Sequence, residues 1–147
     1  MGQPAADLPR VAPTEVARRL VSRVEEVVRG QHRAVELLCV AALAGGHEIV
    51  RLFFYQDGVH SASANVVSGQ DEFDLPAAWR ELVERNGLDA VVCIAAALRR
   101  GVLNAEEAER YGRPGANLGA PWELSGLGQL HEAAQSADRL VCFGGDR

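Results

Sequence analysis

The sequence contains no lysine: all fifteen of the basic residues among its 147 are arginine. A Schiff base on a lysine amine and a lysine general base are therefore excluded. Twenty acidic residues outnumber the arginines, which gives a formal net charge of −5 and a pI near 5.4. Because a protein that binds nucleic acid is expected to carry a basic surface, this charge balance argues against direct nucleic-acid binding.

Cysteine is also scarce, since the chain has only Cys39, Cys93 and Cys142. No two of them form a C-x-x-C pair, and none has metal-ligand spacing with the four histidines. This distribution argues against both a disulfide framework and a zinc site. We therefore expect neither a metal nor another cofactor.

Long apolar runs are missing as well. No stretch of 18 apolar residues could span a membrane, and no charged segment followed by an apolar one resembles a secretion leader. These absences predict a cytoplasmic protein with no membrane contact.

The length and the 48% hydrophobic content suit one globular domain. Residues 1–13 contain three prolines and little apolar content, which predicts a disordered segment. Residues 14–147 are predicted to form a single α/β domain.

Strand-like and helix-like patterns alternate along the chain. Apolar periodicity, caps and turn residues predict strands at 49–54, 89–93 and 139–143, and helices at 34–42, 76–86, 104–111 and after Ser125. Residues 60–70 are polar and predict an exposed, mobile loop. The alternation implies a parallel sheet of four to five strands with helices on both faces.

The segment Asp89–Cys93 carries the strongest functional signal. Its β-branched and apolar middle predicts a buried parallel strand, and the alanines that follow favour a helix. Cys93 is therefore expected at a helix N-terminus, where unpaired N–H groups and the helix dipole favour a thiolate. The alternative is a buried, inert cysteine. For Cys39, within a predicted helix, and Cys142, within the predicted last strand, we expect core packing.

Three segments resemble the DsrE/TusD family of sulfur-relay proteins. They are Phe53-Phe-Tyr-Gln-Asp-Gly-Val59, Val92-Cys-Ile-Ala-Ala-Ala-Leu-Arg-Arg-Gly101 and Ser125-Gly-Leu-Gly-Gln-Leu130. The resemblance runs from about residue 30 to residue 144, and the segment that contains Cys93 is the most specific.

The resemblance implies a five-stranded α/β domain in which one cysteine, here Cys93, carries sulfur as a persulfide. It also implies a hetero-hexamer with two smaller related subunits, a sulfur-donor carrier protein, and a small acceptor protein with a C-terminal cysteine. Two branches share this scaffold. One supplies sulfur for 2-thiouridine in tRNA, which Asp71-Glu-Phe-Asp-Leu75 resembles. The other acts in dissimilatory sulfur oxidation, which Ala137-Asp-Arg-Leu-Val141 resembles.

The chemistry expected of this family is an attack by the Cys93 thiolate on the terminal sulfur of an incoming persulfide. The amides of Ile94 and Ala95 and the charge of Arg99 or Arg100 are candidates for stabilising the product anion. Both arginines also suit an ordinary exposed helix end. Tyr55, Asp57 and His60 leave the neighbouring strand at the same edge and are candidates for covering the thiol or for binding a partner. For His60, a solvated loop position is the alternative.

Two other functions remain open. Cys93 and Arg99 satisfy C-x5-R, the spacing of enzymes that hold an oxyanion. If the intervening residues are helical, however, Arg99 is rotated about 240° from Cys93 and lies about 9 Å along the axis, too far to share one anion. The other possibility is a non-catalytic structural subunit of the same assembly.

The N-terminal region departs from the family, whose members begin with a central strand and a glycine-containing loop. Residues 14–29 instead place apolar residues at helical intervals, with Arg23, Glu25 and Glu26 between them, which favours an amphipathic helix over a buried strand. A doubly wound sheet without its first strand would have a gap beside the cysteine strand, so either residues 20–28 form a strand against their periodicity or the sheet closes up with four strands. Loss of that strand and loop would also impair or alter activity.

Overall fold

The computed structural model describes Cys39 and residues 42–143, and the residues predicted as a disordered segment and as a first helix or strand lie outside this range. The bounded elements, in chain order, are β1 (Leu52–Phe54), a 3₁₀ helix (Gln56–Ala62), α1 (Leu75–Asn86), β2 (Ala90–Cys93), α2 (Ile94–Arg99), α3 (Ala105–Arg110), β3 (Glu123–Ser125) and α4 (Leu127–Ser136). Cys39 and residues 42–44 are also helical. The predicted alternation of strands and helices is confirmed.

The three strands form a parallel sheet in the order β1-β2-β3. All four residues of β2 are buried, which is why its sequence is a continuous apolar run and not an alternating one. In the register, Phe54 lies opposite Val92, and Cys93 lies opposite Ser125. β1 pairs directly with β2, so the described sheet has no gap beside the cysteine strand.

The number and position of the outer strands differ from the prediction. The described residues contain three strands, and a count of four or five is not confirmed. The predicted strand at 139–143 is wrong: this segment has no regular secondary structure, and Leu140, Val141 and Phe143 are exposed. β-propensity reflects how well a side chain packs on a neighbouring sheet, and neither edge of the three-stranded sheet pairs with this segment. The predicted arrangement of helices on both faces stays a prediction.

Helix α1 follows its sequence signals closely. Asp74 caps its N-terminus by accepting a hydrogen bond from the Ala77 amide at 3.0 Å, and Pro76 occupies its first turn. Gly87 ends the helix in the left-handed conformation, with φ of 59°, as expected for a glycine C-cap. The apolar side chains of Trp79, Leu82 and Val83 form its buried face.

Aromatic rings fill the core between α1 and the sheet. The Phe54 ring centroid lies 5.2 Å from that of Trp79 and 5.1 Å from that of Trp122, and both pairs are edge-to-face. Such pairs add about 0.5–1.5 kcal/mol to the free energy gained from burial alone. This cluster joins β1, α1 and the residue before β3, so it fixes the layer beneath the cysteine strand.

Arg51 connects the opposite end of the sheet to α4. Its Nη2 lies 2.6 Å from Asp89 Oδ2, and its Nη1 donates to the Gln129 backbone oxygen at 2.9 Å and to the Gln129 side-chain oxygen. The hydrogen bond to Asp89 raises the pKa of the Arg51 guanidinium above its ordinary value. Because α4 has no buried residue, this polar contact is a principal attachment of the helix to the described sheet.

The predicted exposed loop at 60–70 is partly wrong. The 3₁₀ helix extends to Ala62, and Ser61, Ala62 and Ser63 are buried, whereas residues 64–67 are exposed as expected. The small side chains of Ser61 and Ser63 let the backbone pack closely, so a polar composition does not keep this part of the segment in solvent. Within the described part of the chain, no helix is both long and apolar enough to cross a membrane.

Replacing Trp79 with alanine is expected to lower the free energy of unfolding by about 3–5 kcal/mol. The reason is that a buried ring and its edge-to-face contact with Phe54 are lost. The matched control is Val67→Ala, at a side chain that is 89% exposed, for which we expect a change within about 0.5 kcal/mol. Urea titrations of the two variants measure both values. Equal midpoints would contradict the described core.

Candidate functional site

Cys93 is the last residue of β2 and the N-cap of α2. Its φ of −61° and ψ of 114° are extended, and the helix begins at the next residue. The predicted junction of strand and helix is therefore confirmed. The first amides of α2, including those of Ile94 and Ala95, have no partner within the helix, because a helical N–H bonds to a carbonyl four residues earlier.

Small side chains let α2 lie close against its neighbours. Ala96 and Ala97 are buried, with 5% and 0% of their surface exposed, while Ala95 faces outward. Ala96 and Ala97 thus pack α2 against its neighbours. It also keeps the chain helical from Ile94 to Arg99.

The thiol itself is not on the surface, because only 2% of Cys93 is exposed. This burial fits the alternative of a buried cysteine that the sequence left open. Cys93 is the end of a central strand, with a neighbouring strand on each side and the 3₁₀ helix packed against β2. Position at a strand end therefore does not ensure solvent access here.

Two residues flank Cys93 along the sheet edge. The pairing of Phe54 with Val92 brings the next residue, Tyr55, beside Cys93, and Ser125 is the direct partner of Cys93 on the other side. Tyr55 is half exposed, and its backbone oxygen accepts a hydrogen bond from the Gly58 amide at 3.0 Å. The expectation that the chain leaves β1 at the edge that holds Cys93 is confirmed.

Asp57 and Arg100 form an ion pair. Arg100 Nε donates to Asp57 Oδ1 at 2.9 Å, and Arg100 Nη1 donates to the Ala96 backbone oxygen at 3.4 Å. This ion pair joins the 3₁₀ helix to the C-terminal end of α2. Arg100 is seven residues from Cys93, which corresponds to about 10 Å along a helix axis.

Arg99 and His60 are exposed. The described hydrogen bond of His60 uses its backbone oxygen, which accepts from the Ser63 amide at 3.1 Å. Among the residues that the structure describes, none of these predicted groups hydrogen-bonds to Cys93 Sγ, and no cluster of His, Cys, Asp or Glu could hold a metal ion. Because α2 is helical, Arg99 does not share a loop with Cys93 as C-x5-R chemistry requires.

The other two cysteines occupy contrasting environments. Cys39 is helical and buried, as predicted. Cys142 is exposed, so the expectation that it packs in the core is wrong. The reason is that its segment, 139–143, adds no strand to the described sheet.

Ser125 is a strand residue beside Cys93, which the sequence does not predict. The predicted helix does follow it, but Ser125 belongs to β3, and Gly126 is the N-cap of α4. The available signal was the pair Leu124-Ser125, which follows the buried Trp122 and precedes a glycine. One apolar residue in so short a segment does not distinguish a strand from a helix start.

The profile of the DsrE/DsrF-like family matches residues 30–143. The chain belongs to this family. The match includes all three strands of the described sheet and the junction at Cys93.

Named relatives are similar over most of their length. Sulfurtransferase TusD of Cronobacter sakazakii is 50% identical over 103 residues, which are 70% of this chain and 80% of the relative. Putative sulfurtransferase DsrE of Allochromatium vinosum is 50% identical over 104 residues, 71% of this chain and 80% of the relative. Sulfurtransferase TusD of Proteus mirabilis is 42% identical over 123 residues, 80% of this chain and 95% of the relative.

The burial difference between the cysteines predicts their order of modification. In native protein treated with N-ethylmaleimide, the Cys142 peptide is expected to be labelled well before the Cys93 peptide, because the reagent must reach the sulfur. Peptide mass spectrometry over a time course measures the two rates, and urea serves as the control in which both react. Equal native rates would contradict the buried position of Cys93.

Proposed function

We propose that this protein is a sulfurtransferase that holds persulfide sulfur on Cys93 and passes it between partner proteins. The observation that carries the proposal is the position of Cys93 at the carboxyl end of the central described strand, at the N-cap of α2, in a chain of the DsrE/DsrF-like family. The relatives named sulfurtransferase support the activity. Among the three cysteines, only Cys93 ends a strand of the sheet.

In the proposed reaction, the Cys93 thiolate attacks the terminal sulfur of a donor persulfide. A new S–S bond forms at Cys93 while the donor S–S bond breaks, and the electron pair leaves with the donor thiolate. No oxidant is consumed. The first amides of α2, from Ile94 and Ala95, favour negative charge on the sulfur that Cys93 gains. A partner thiolate then takes that sulfur by the same exchange.

The remaining predicted residues have secondary roles in this proposal. Tyr55 lies beside Cys93 at the sheet edge, and Ser125 lies on its other side, so both border the path of an incoming sulfur. Arg99, exposed at the end of α2, is suited to partner contact and not to the reacting sulfur. His60 is likewise an exposed candidate for partner binding.

We further propose that the protein works in a complex with two smaller related subunits as a hetero-hexamer. It would receive sulfur from a carrier protein and deliver it to a small protein with a C-terminal cysteine. The exposed apolar side chains near the C-terminus, Leu140, Val141 and Phe143, support association with another protein. Equal identity to a TusD and a DsrE relative leaves both tRNA thiolation and sulfur oxidation as destinations.

A structural role is the second candidate, and the burial of Cys93 favours it. A subunit that only completes the assembly would keep its thiol enclosed and would transfer no sulfur. The oxyanion enzyme suggested by C-x5-R is less well supported, because α2 separates Arg99 from Cys93. Turnover of orthophosphate or arsenate would restore that candidate.

Treatment with glutathione persulfide is expected to add one sulfur atom to the intact wild-type protein, and a reductant is expected to remove it. Cys93→Ser should show no such gain, because it lacks the accepting thiolate. Intact-mass spectrometry measures both.

The matched controls are Cys142→Ser and Cys39→Ser, which should still gain the sulfur atom. Circular dichroism establishes that each variant is folded. A folded wild-type protein that gains no sulfur would favour the structural role. A Cys93→Ser variant that gains as much as wild type would assign the sulfur to another residue.

A further inference from the structure

Sulfur transfer between proteins requires contact between two sulfur atoms, but Cys93 is 98% enclosed. The Cys93 thiolate must attack the terminal sulfur in line with the donor S–S bond. The donor persulfide therefore has to reach Cys93 with no side chain in between. An element that covers Cys93 must therefore move before this residue can exchange sulfur with a partner.

The 3₁₀ helix is the element best positioned to cover the thiol. It begins immediately after Tyr55, which lies beside Cys93 in the sheet, and it packs against β2, α1 and α2. Its side chains Val59 and Ala62 are 0% and 2% exposed and belong to the same apolar cluster as Cys93. Displacing this helix would uncover the carboxyl end of β2.

The 3₁₀ helix is also suited to movement. It runs for seven residues, whereas 3₁₀ segments longer than three or four are uncommon because their hydrogen bonds are poorly aligned. Gln56, its first residue, has φ of 47°, a left-handed conformation that non-glycine residues rarely adopt. A strained residue at one end provides a place where the backbone can relax when the helix detaches.

The Asp57–Arg100 ion pair holds this helix to α2. The Asp57 side chain is 83% exposed and that of Arg100 is 28% exposed, so the pair is accessible to water and salt. Exposed pairs of this kind are weak and are screened by ions. The ion pair therefore adds a small increment to the apolar contacts of Val59 and Ala62, and a partner that offers a competing charge removes that increment.

We propose that Asp57 and Arg100 are positioning residues that keep the 3₁₀ helix closed over Cys93, and that breaking their ion pair uncovers the thiol. The purpose assigned to this opening rests on the proposed sulfurtransferase function. The opening itself is measurable without any sulfur transfer, because a small alkylating reagent reports access to Cys93 directly.

The test measures the rate at which N-ethylmaleimide labels the Cys93 peptide in native protein. Arg100→Met and Asp57→Asn are each expected to raise this rate about two- to five-fold, the change that loss of an exposed ion pair produces. The exchanged pair, Asp57→Arg with Arg100→Asp, is expected to return the rate toward that of wild type. Added salt should accelerate labelling of wild type more than labelling of Arg100→Met.

The matched control is Glu81→Gln, which removes an exposed ion pair between Glu81 and Arg85 on α1. It should leave labelling of Cys93 unchanged. Urea titrations show whether any variant reacts faster only because it unfolds. Unchanged labelling in both Asp57→Asn and Arg100→Met would overturn the proposal, and so would equal acceleration in Glu81→Gln.

The two proposals fail separately. If wild type gains no sulfur from glutathione persulfide while alkylation still responds to Arg100→Met, the carrier function fails and the positioning role stands. If Cys93 gains sulfur while neither Asp57→Asn nor Arg100→Met changes its alkylation rate, the carrier function stands and the positioning role fails.

Discussion

The structure depends on the burial of one four-residue strand, Ala90–Cys93, between two parallel neighbours. Every residue of this strand is enclosed, and Ala90, Val92 and Cys93 belong to the apolar core cluster. Because parallel strands end at the same edge, pairing on both sides brings Tyr55 and Ser125 to the end at which Cys93 lies. The same burial that fixes this arrangement also encloses the thiol. The packing that orders the residues around Cys93 therefore also restricts access to its thiol.

Local sequence signals were sufficient to predict the elements that have their own capping and terminating residues. Asp74, Pro76 and Gly87 specify α1, and the change from β-branched residues to alanine specifies the junction at Cys93. Pairing and contact over long distances were not predictable in this way. β3 has only three residues and owes its strand conformation to β2, whereas the more strand-like segment 139–143 lacks a described partner.

The side chains around Cys93 also divide into those that local sequence predicts and those that depend on long-range contacts. Cys93 could be selected from its position alone, because it follows a buried strand and precedes a helix. The contact between Asp57 and Arg100 could not be predicted, since 43 residues separate them and both types are common on exposed surfaces. The sequence left the burial of the thiol open, because burial depends on contacts between elements that are far apart in the chain, such as β2 and the 3₁₀ helix.

The most direct test of this account is to map sulfur on all three cysteines of wild-type protein after exposure to less than one equivalent of glutathione persulfide. Exposure alone would direct the sulfur to Cys142, the accessible cysteine. The account predicts that the added sulfur is found on the Cys93 peptide instead, because the N-cap of α2 favours the charged sulfur once the site opens. Sulfur found mainly on Cys142, with none on Cys93, would contradict it.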